Sequence, residues 1–110
     1  MLEQSIKALE DRDWNVDIDQ NHVFLEWYSP AGEDYCIDRD IEVLYSDILY
    51  TIMRDEYEWF DVDEHVDMWA ESRGRNGVPD SYSVLIRDAI DIEEELNECR
   101  KILKKLCKNA

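Results

Sequence analysis

The chain has 110 residues, a formal net charge of −16 and 45% hydrophobic residues, which include four Trp, six Tyr and two Phe. This length fits one small domain, and the apolar content suffices for a modest core, so a disordered acidic tail is excluded. No apolar run approaches the roughly 18 residues of a membrane span, and the first residues lack the basic and apolar regions of a secretory signal. The three cysteines (Cys36, Cys99 and Cys107) have no metal-ligand spacing and indicate free thiols in a bacterial cytoplasm.

The charges are unevenly distributed. All 28 Asp and Glu lie in residues 1–98 beside seven of the 12 Lys and Arg, whereas residues 99–110 contain five basic residues and no acid. An intensely acidic body repels nucleic-acid phosphates and anionic membranes, and it attracts basic protein surfaces. Solubility alone needs a net charge of only about 2–8 in magnitude for a small domain. We therefore expect a basic protein partner, and neither direct nucleic-acid binding nor membrane binding.

The first 39 residues indicate one helix and a three-stranded antiparallel meander. Leu2, Ile6 and Leu9 have the spacing of a short amphipathic helix. The alternating segments WNVDI and HVFLEWY predict two strands, and SPAGED, with its Pro and Gly, predicts the turn before a short third strand. That strand begins at Tyr35 and is expected to end near Asp38.

Residues 40–110 indicate three helices. The first of these helices is predicted from the helical spacing of Ile41, Leu44 or Tyr45, Ile48, Ile52 and Tyr57. Asp40 is its expected N-cap. Asp61 and Glu64 have a spacing similar to a capping box, which places the start of the next helix at Asp61. The turn between this helix and the last one is marked by Gly74, Gly77, Pro79, Asp80 and Ser81. The predicted fold class is therefore α+β in a single domain, residues 1–110, with a short N-terminal helix, a three-stranded antiparallel sheet and three helices.

The last helix has the most regular apolar pattern in the chain. Spacings that alternate between four and three residues form a heptad seam of Leu85, Ala89, Ile92, Leu96, Cys99, Leu103 and Leu106. The seam is either an ordinary core stripe or a homodimer contact made by Leu85, Ile92, Leu96 and Leu103. A helix of about 27 residues spans roughly 40 Å. Because this exceeds the expected size of the domain, the helix end is predicted to protrude or to pair.

The acidic segment DEYEWFDVDEHVD, residues 55–67, contains seven carboxylates and no lysine. A metal site is disfavoured, because Asp63 points away from Asp61, Glu64 and His65 on a helix. The EF-hand spacing is absent, and His65 has no second histidine four residues later. No nucleophile is paired with a base in a known motif, and no phosphate-binding loop is present. We therefore expect no enzymatic activity, no metal and no cofactor.

We interpret this segment as a binding face for a basic protein surface. Solvated helices usually mix charges at i and i+4, whereas these carboxylates recur on two consecutive helices without partners. They approximate the charge of duplex DNA, about one negative charge per 1.7 Å. A solvated helix face is the competing interpretation, and the core is the more usual place for Trp59, the candidate aromatic anchor. The residues assigned to partner binding are Asp55, Glu56, Glu58, Trp59, Asp61, Asp63, Glu64 and Asp67.

Two runs, YSPAGEDY and FDVDEHVDMWAESRGRNGVPDSYSVLIRDAIDIEEEL, cover nearly half of the chain. They resemble a family of small acidic proteins from Firmicutes, their phages and mobile elements. The family pattern combines an SPAGED hairpin, an FDxDEH helix, a GVP turn and a DAxxI helix. By analogy of size, charge and setting, the resemblance extends to anti-CRISPR and anti-restriction inhibitors that occupy nucleic-acid channels. The matching positions are 29–34, 60–65, 77–79, Asp88, Ala89 and Ile92.

These features favour a non-catalytic, nucleic-acid-mimicking inhibitor. Its acidic face is expected to occupy the basic nucleic-acid channel of a bacterial defence nuclease, for example a CRISPR–Cas effector such as Cas9. Steric mimicry and a conformational block are both consistent with such an inhibitor. The alternative function is that of a dimeric adaptor or structural protein of a phage or mobile element, joined through the heptad seam.

Overall fold

The computed structural model describes residues 2–73 and 82–108. In chain order it contains helix α1 (Leu2–Glu10), strands β1 (Asn15–Ile18), β2 (His22–Tyr28) and β3 (Asp34–Asp40), and helices α2 (Ile48–Trp59), α3 (Val62–Arg73) and α4 (Tyr82–Lys108). This order confirms the predicted α+β fold class with its long C-terminal helix. No helix in the described ranges has an 18-residue window apolar enough to cross a membrane.

The three strands form an antiparallel sheet in the order β1-β2-β3. Leu25 in the central strand lies opposite Val16 on one side and Ile37 on the other. Leu25 and Ile37 are buried against the helices, and the alternate residues of each strand lie on the other face of the sheet. The turn between β2 and β3 needs a left-handed residue, and Gly32 supplies it with a φ of 89°.

Helix α4 supplies the largest part of the core. Its seam side chains pack against the sheet and against α1, α2 and α3 of the same chain. The assignment of seam residues to an oligomer contact was therefore wrong, because their neighbours are already present within one chain. Each of the following is at most 1% exposed: Leu85, Ala89, Ile92, Leu96, Cys99 and Leu103.

The length of α4 determines the shape of the molecule. The principal extents are 46, 25 and 22 Å, and a 27-residue helix of about 40 Å fits only along the longest of them. Leu106, near the end of α4, is still packed against the core cluster. The expected protruding helix end is therefore not seen within the described part of α4.

The start of α2 differs from the prediction. Strand β3 continues to Asp40, and the Ile41 N–H donates to the Asn21 carbonyl at 2.9 Å, which extends the pairing of β2 with β3. Helix α2 begins only at Ile48. The β-branched residues at 41 and 43 favour extended backbone, so apolar spacing alone was misleading here. Asp40 is a strand residue and not a helix N-cap.

The predicted start of α3 is confirmed. The Asp61 carboxylate accepts a hydrogen bond from the Glu64 N–H, with an Oδ1–N distance of 3.0 Å. This contact satisfies one of the free N–H groups of the first turn and places a negative charge at the helix N-terminus. The predicted turn residues Gly74, Gly77, Pro79, Asp80 and Ser81 lie outside the described residues.

Candidate partner-binding site

The predicted acidic face lies at the end of α2 and along the first turns of α3. Two of its carboxylates are half-buried and paired: Asp55 Oδ1 lies 3.1 Å from Arg54 Nη2, and Glu56 Oε2 lies 3.3 Å from Arg39 Nη2. Five others are exposed, and no described cation lies within 4.0 Å of any of them. We call this group the open carboxylates; its members are Glu58, Asp61, Asp63, Glu64 and Asp67.

Trp59 lies at the surface. The expectation that this tryptophan is more usually a core residue was therefore wrong. Its side chain is 64% exposed. Trp59 is the last residue of α2 and comes seven residues after the buried Ile52. Both residues therefore lie on the same side of α2, but Trp59 lies beyond the part of the helix that the core covers. After Trp59 the backbone becomes extended at Phe60, and the chain turns into α3.

A guanidinium already lies against Trp59. The Cζ atom of Arg39, from β3, is 4.9 Å from the centroid of the indole ring. The same guanidinium reaches the Glu56 carboxylate at 3.3 Å. Arg39 thus combines a cation–π contact with an ion pair, the two interactions for which arginine is best suited.

A cleft of about 210 Å³ opens beside Trp59, between β3 and the α2–α3 connection. It combines exposed apolar groups, aromatic rings and carboxylates, and we call it the Trp59 cleft. Three of its rings contact one another: the Phe60 centroid lies 5.9 Å from that of Tyr35 and 5.0 Å from that of His65, and the Tyr35 and His65 centroids are 6.0 Å apart. The lining residues are Tyr35, Glu56, Trp59, Phe60, Asp61, Glu64, His65 and Met68.

Two lining groups have perturbed acidity. Burial raises the pKa of the Glu56 carboxyl, an effect that Arg39 opposes and Asp55 reinforces. Burial also raises the pKa of the Tyr35 phenol, and the Glu56 charge adds to the rise. Tyr35 is therefore neutral at physiological pH, and the negative charge of the Trp59 cleft comes from its carboxylates.

Residues that carry the sequence resemblance meet next to the cleft. The His65 imidazole lies against the Glu33 carboxylate, with an Nε2–Oε2 distance of 2.7 Å. Ser29 Oγ accepts a hydrogen bond from the Glu33 N–H at 2.9 Å, and Asp88 Oδ1 accepts one from the Ala31 N–H at 3.2 Å. These contacts join the β2–β3 hairpin to α3 and α4. We call the group the hairpin junction, and it gives His65 a structural role.

Asp88 and Glu95 are buried carboxylates that the sequence did not identify, and Asp88 is the one at the hairpin junction. Asp88 is 2% exposed, and its Oδ2 atom has no hydrogen-bond partner among the residues that the structure describes. Burial raises its pKa, the contacts with Ser29 and Ala31 oppose this, and the nearby Glu33 charge reinforces it. The sequence spacing could have predicted this burial, because Asp88 lies three residues after Leu85 and four before Ile92, on the apolar side of α4.

A separate group of possible metal ligands lies on the exposed face of the sheet. In the described residues, Glu26, Asp34 and Cys36 are the group of this kind whose donor atoms lie within 4.8 Å of one another. Desolvation and hydrogen bonding to Asp34, reinforced by the Glu26 charge, raise the pKa of the Cys36 thiol to about 11. At neutral pH this thiol keeps its proton, which a metal would have to displace. His65 is not in this group, and its imidazole contacts Glu33.

Comparison of the chain with protein-family models, curated proteins and solved structures found no match. The resemblance to small acidic proteins of mobile elements therefore stays a prediction. The open carboxylates and the Trp59 cleft are the features from which we infer function.

Proposed function

We propose that the chain is a non-catalytic inhibitor that mimics nucleic acid. It binds the basic nucleic-acid channel of a bacterial defence nuclease, such as a CRISPR–Cas effector of the Cas9 type, and excludes nucleic acid by competition. One observation carries the proposal: five exposed carboxylates, one at the end of α2, one at the N-cap of α3 and three within α3, have no described cation within 4.0 Å.

The spacing of these carboxylates supports mimicry. Asp63 and Asp67 are separated by four residues on α3, a rise of about 6 Å along the helix axis. Charges along one DNA strand repeat about every 3.4 Å, so this rise is close to the span of two phosphate steps. Lys and Arg side chains that hold phosphates at such intervals can therefore pair with α3 carboxylates in the same channel.

The surroundings of the carboxylates support a protein partner. Trp59 and Met68 are 64% and 63% exposed, and exposed residues of these types are enriched at protein interfaces. A tryptophan beside the open carboxylates provides apolar contact area next to groups that attract a basic surface. Such a combination favours a tight complex with a basic protein over a role for the charge in solubility alone.

The first test captures partners from a bacterial lysate at low salt, with elution by a salt gradient and competition by duplex DNA. A nucleic-acid enzyme that elutes with salt, and that DNA displaces, is the expected result, because long-range charge attraction is screened by salt. Retention of no nucleic-acid enzyme would count against the proposal.

The second test measures DNA cleavage by the captured nuclease, or by purified Cas9 with its guide RNA, in the presence of the chain. The triple variant Glu58→Lys, Asp63→Lys, Asp67→Lys is expected to lose inhibition. Asp61 is left unchanged because it caps α3. The matched control, Glu10→Lys, Asp17→Lys, Glu94→Lys, changes the net charge equally at exposed positions elsewhere and should still inhibit. Equal losses in both variants would show that total charge acts, and not this face.

A further inference from the structure

The Trp59 cleft has a size and a lining that restrict what it can bind. Its volume of about 210 Å³ is below the roughly 300–1,000 Å³ of pockets that hold drug-sized ligands or cofactors. A nucleobase could stack on Trp59, but its phosphate would then approach the Asp61 and Glu64 carboxylates that line the same cleft. The cleft is therefore suited to a single side chain that carries positive charge.

The chain itself shows how such a side chain is held. Arg39 lies over the Trp59 ring and reaches Glu56, yet Trp59 stays 64% exposed. Much of the indole surface is therefore free for a second cation. Asp61 and Glu64 line the same cleft and have no described cation within 4.0 Å, so they can accept hydrogen bonds from it.

We propose that the Trp59 cleft receives an arginine side chain of the partner protein. The guanidinium stacks on the exposed indole surface of Trp59 and donates hydrogen bonds to Asp61 and Glu64. The aliphatic part of the arginine packs against Met68, whose flexible thioether adapts to its partner. The assignment rests on the proposed function for the basic character of the partner, and it adds the identity of the group that is recognised.

The cleft discriminates between the two basic residues. A guanidinium is planar, is weakly hydrated and presents donors along an edge, so it can stack on an indole and meet carboxylates at the same time. A lysine ammonium is a compact and strongly hydrated charge that cannot stack in this way. Non-specific attraction by the acidic face would instead treat arginine and lysine alike.

The test titrates the full ¹⁵N-labelled chain with the capped tripeptides acetyl-Gly-Arg-Gly-amide and acetyl-Gly-Lys-Gly-amide. Chemical shifts are followed at the Trp59 indole N–H and at the amides of Glu64 and Met68. The arginine peptide is expected to shift these signals saturably, and the lysine peptide should bind roughly threefold more weakly or worse. Equal affinity for the two peptides, or shifts centred on the exposed face of the sheet, would overturn the assignment.

Two variants of the cleft and one matched control variant complete the test. Trp59→Leu should fold, since the side chain is exposed, and should lose the arginine preference at the Glu64 and Met68 amides. Glu64→Gln should weaken binding of the arginine peptide, whereas Glu94→Gln, with the same charge change at an exposed position of α4, should not. Equal weakening by both glutamine variants would also overturn the assignment.

The two proposals can fail separately. Arginine-selective binding in the cleft, without inhibition of any nuclease, would support the cleft assignment and reject the proposed function. Nuclease inhibition that survives Trp59→Leu, together with equal binding of the two peptides, would reject the cleft assignment alone.

Discussion

Arg12 donates two hydrogen bonds to Glu95, from Nε to Oε2 at 3.0 Å and from Nη2 to Oε1 at 2.7 Å. The two residues are 83 positions apart in the sequence, so the contact joins the turn after α1 to the middle of α4. The Trp14 indole N–H donates to the same Oε2 atom at 2.9 Å. The side chain of Glu95 is only 9% exposed, and these three donors compensate its charge.

Replacing Arg12 by Met should destabilise the fold by about 2–3 kcal/mol, because it leaves a buried carboxylate without its cation. The cost is below that of a fully buried pair because the Arg12 side chain is 35% exposed. Urea denaturation at neutral pH measures the change in the free energy of unfolding. Lys7→Met is the control, since the Lys7–Asp11 pair is exposed and such pairs contribute at most about 1 kcal/mol. Equal effects of the two variants would contradict the role given to Glu95.

Replacing Asp88 by Asn should preserve or increase stability at neutral pH. Burial raises the pKa of Asp88 in the folded state, so the native state binds the proton more tightly than the unfolded state does. Stability from this group is fully present below the unfolded pKa and is lost as pH rises through the folded pKa. The asparagine keeps an acceptor for the Ala31 N–H and cannot ionise.

The measurement for Asp88 is urea unfolding across the acidic to neutral range, compared with wild type at each pH. The difference between Asp88→Asn and wild type should move in favour of the variant as pH rises. Glu94→Gln, an exposed change on the same helix, should show no such trend. A variant that loses stability relative to wild type with rising pH would show that Asp88 is favourably ionised in the fold.

Cys36 and Cys99 should both be alkylated more slowly than an ordinary thiol, for different reasons. Cys99 is fully buried and should react with iodoacetamide only when the chain unfolds. Cys36 is exposed, but its pKa of about 11 should make it on the order of 100-fold slower than an ordinary thiol at mildly alkaline pH, because the thiolate is the nucleophile. Asp34→Asn should accelerate the reaction. Mass spectrometry of the labelled peptides measures each rate, and a Cys36 rate equal to that of glutathione would contradict the effect of the carboxylates.

Replacing Leu96 by Ala should destabilise the fold by roughly 2–5 kcal/mol through a core cavity. Because Leu96 is 0% exposed within one chain, the mass measured by sedimentation should be the same for wild type and for the variant. Glu94→Ala, on the exposed side of the same helix, should change stability by no more than about 0.5 kcal/mol. A loss of dimer mass in Leu96→Ala, with the folded state retained, would restore the seam to an intermolecular role.

The order of helices and strands could be predicted from the sequence because periodicity decides it. Strand β2 matches its prediction fully, and the N-cap role of Asp61 follows from spacing alone. The start of α2 could not be predicted, since Ile41 has helical spacing but its N–H completes the pairing with Asn21. The decision between helix and strand there depends on a tertiary contact that sequence does not display.

The acidic part of the site could be predicted, but the cleft could not. Exposed carboxylates follow from composition, whereas the exposure of Trp59 depends on where the core ends. The contacts of Arg39 and Glu33 cross between elements: Arg39 reaches α2 from β3, and Glu33 reaches α3 from the hairpin. No local sequence pattern predicts either of these two contacts. The heptad seam has a strong local pattern, but that pattern fits both a core stripe and a homodimer contact. Only the packing of Leu85 and Leu96 within their own chain identifies it as a core stripe.

The orientation of α4 makes the molecule an electric dipole. Helix α3 packs on the first turns of α4 through Leu85 and Ala89, whereas Lys101, Lys104 and Lys105 lie in the last turns of the same helix, near one end of the 46 Å axis. For the cationic channel proposed as its partner, this arrangement predicts a torque as well as an attraction, so that the α3 end should turn toward the channel before contact. Such alignment should make more collisions productive, and salt should slow association by weakening it.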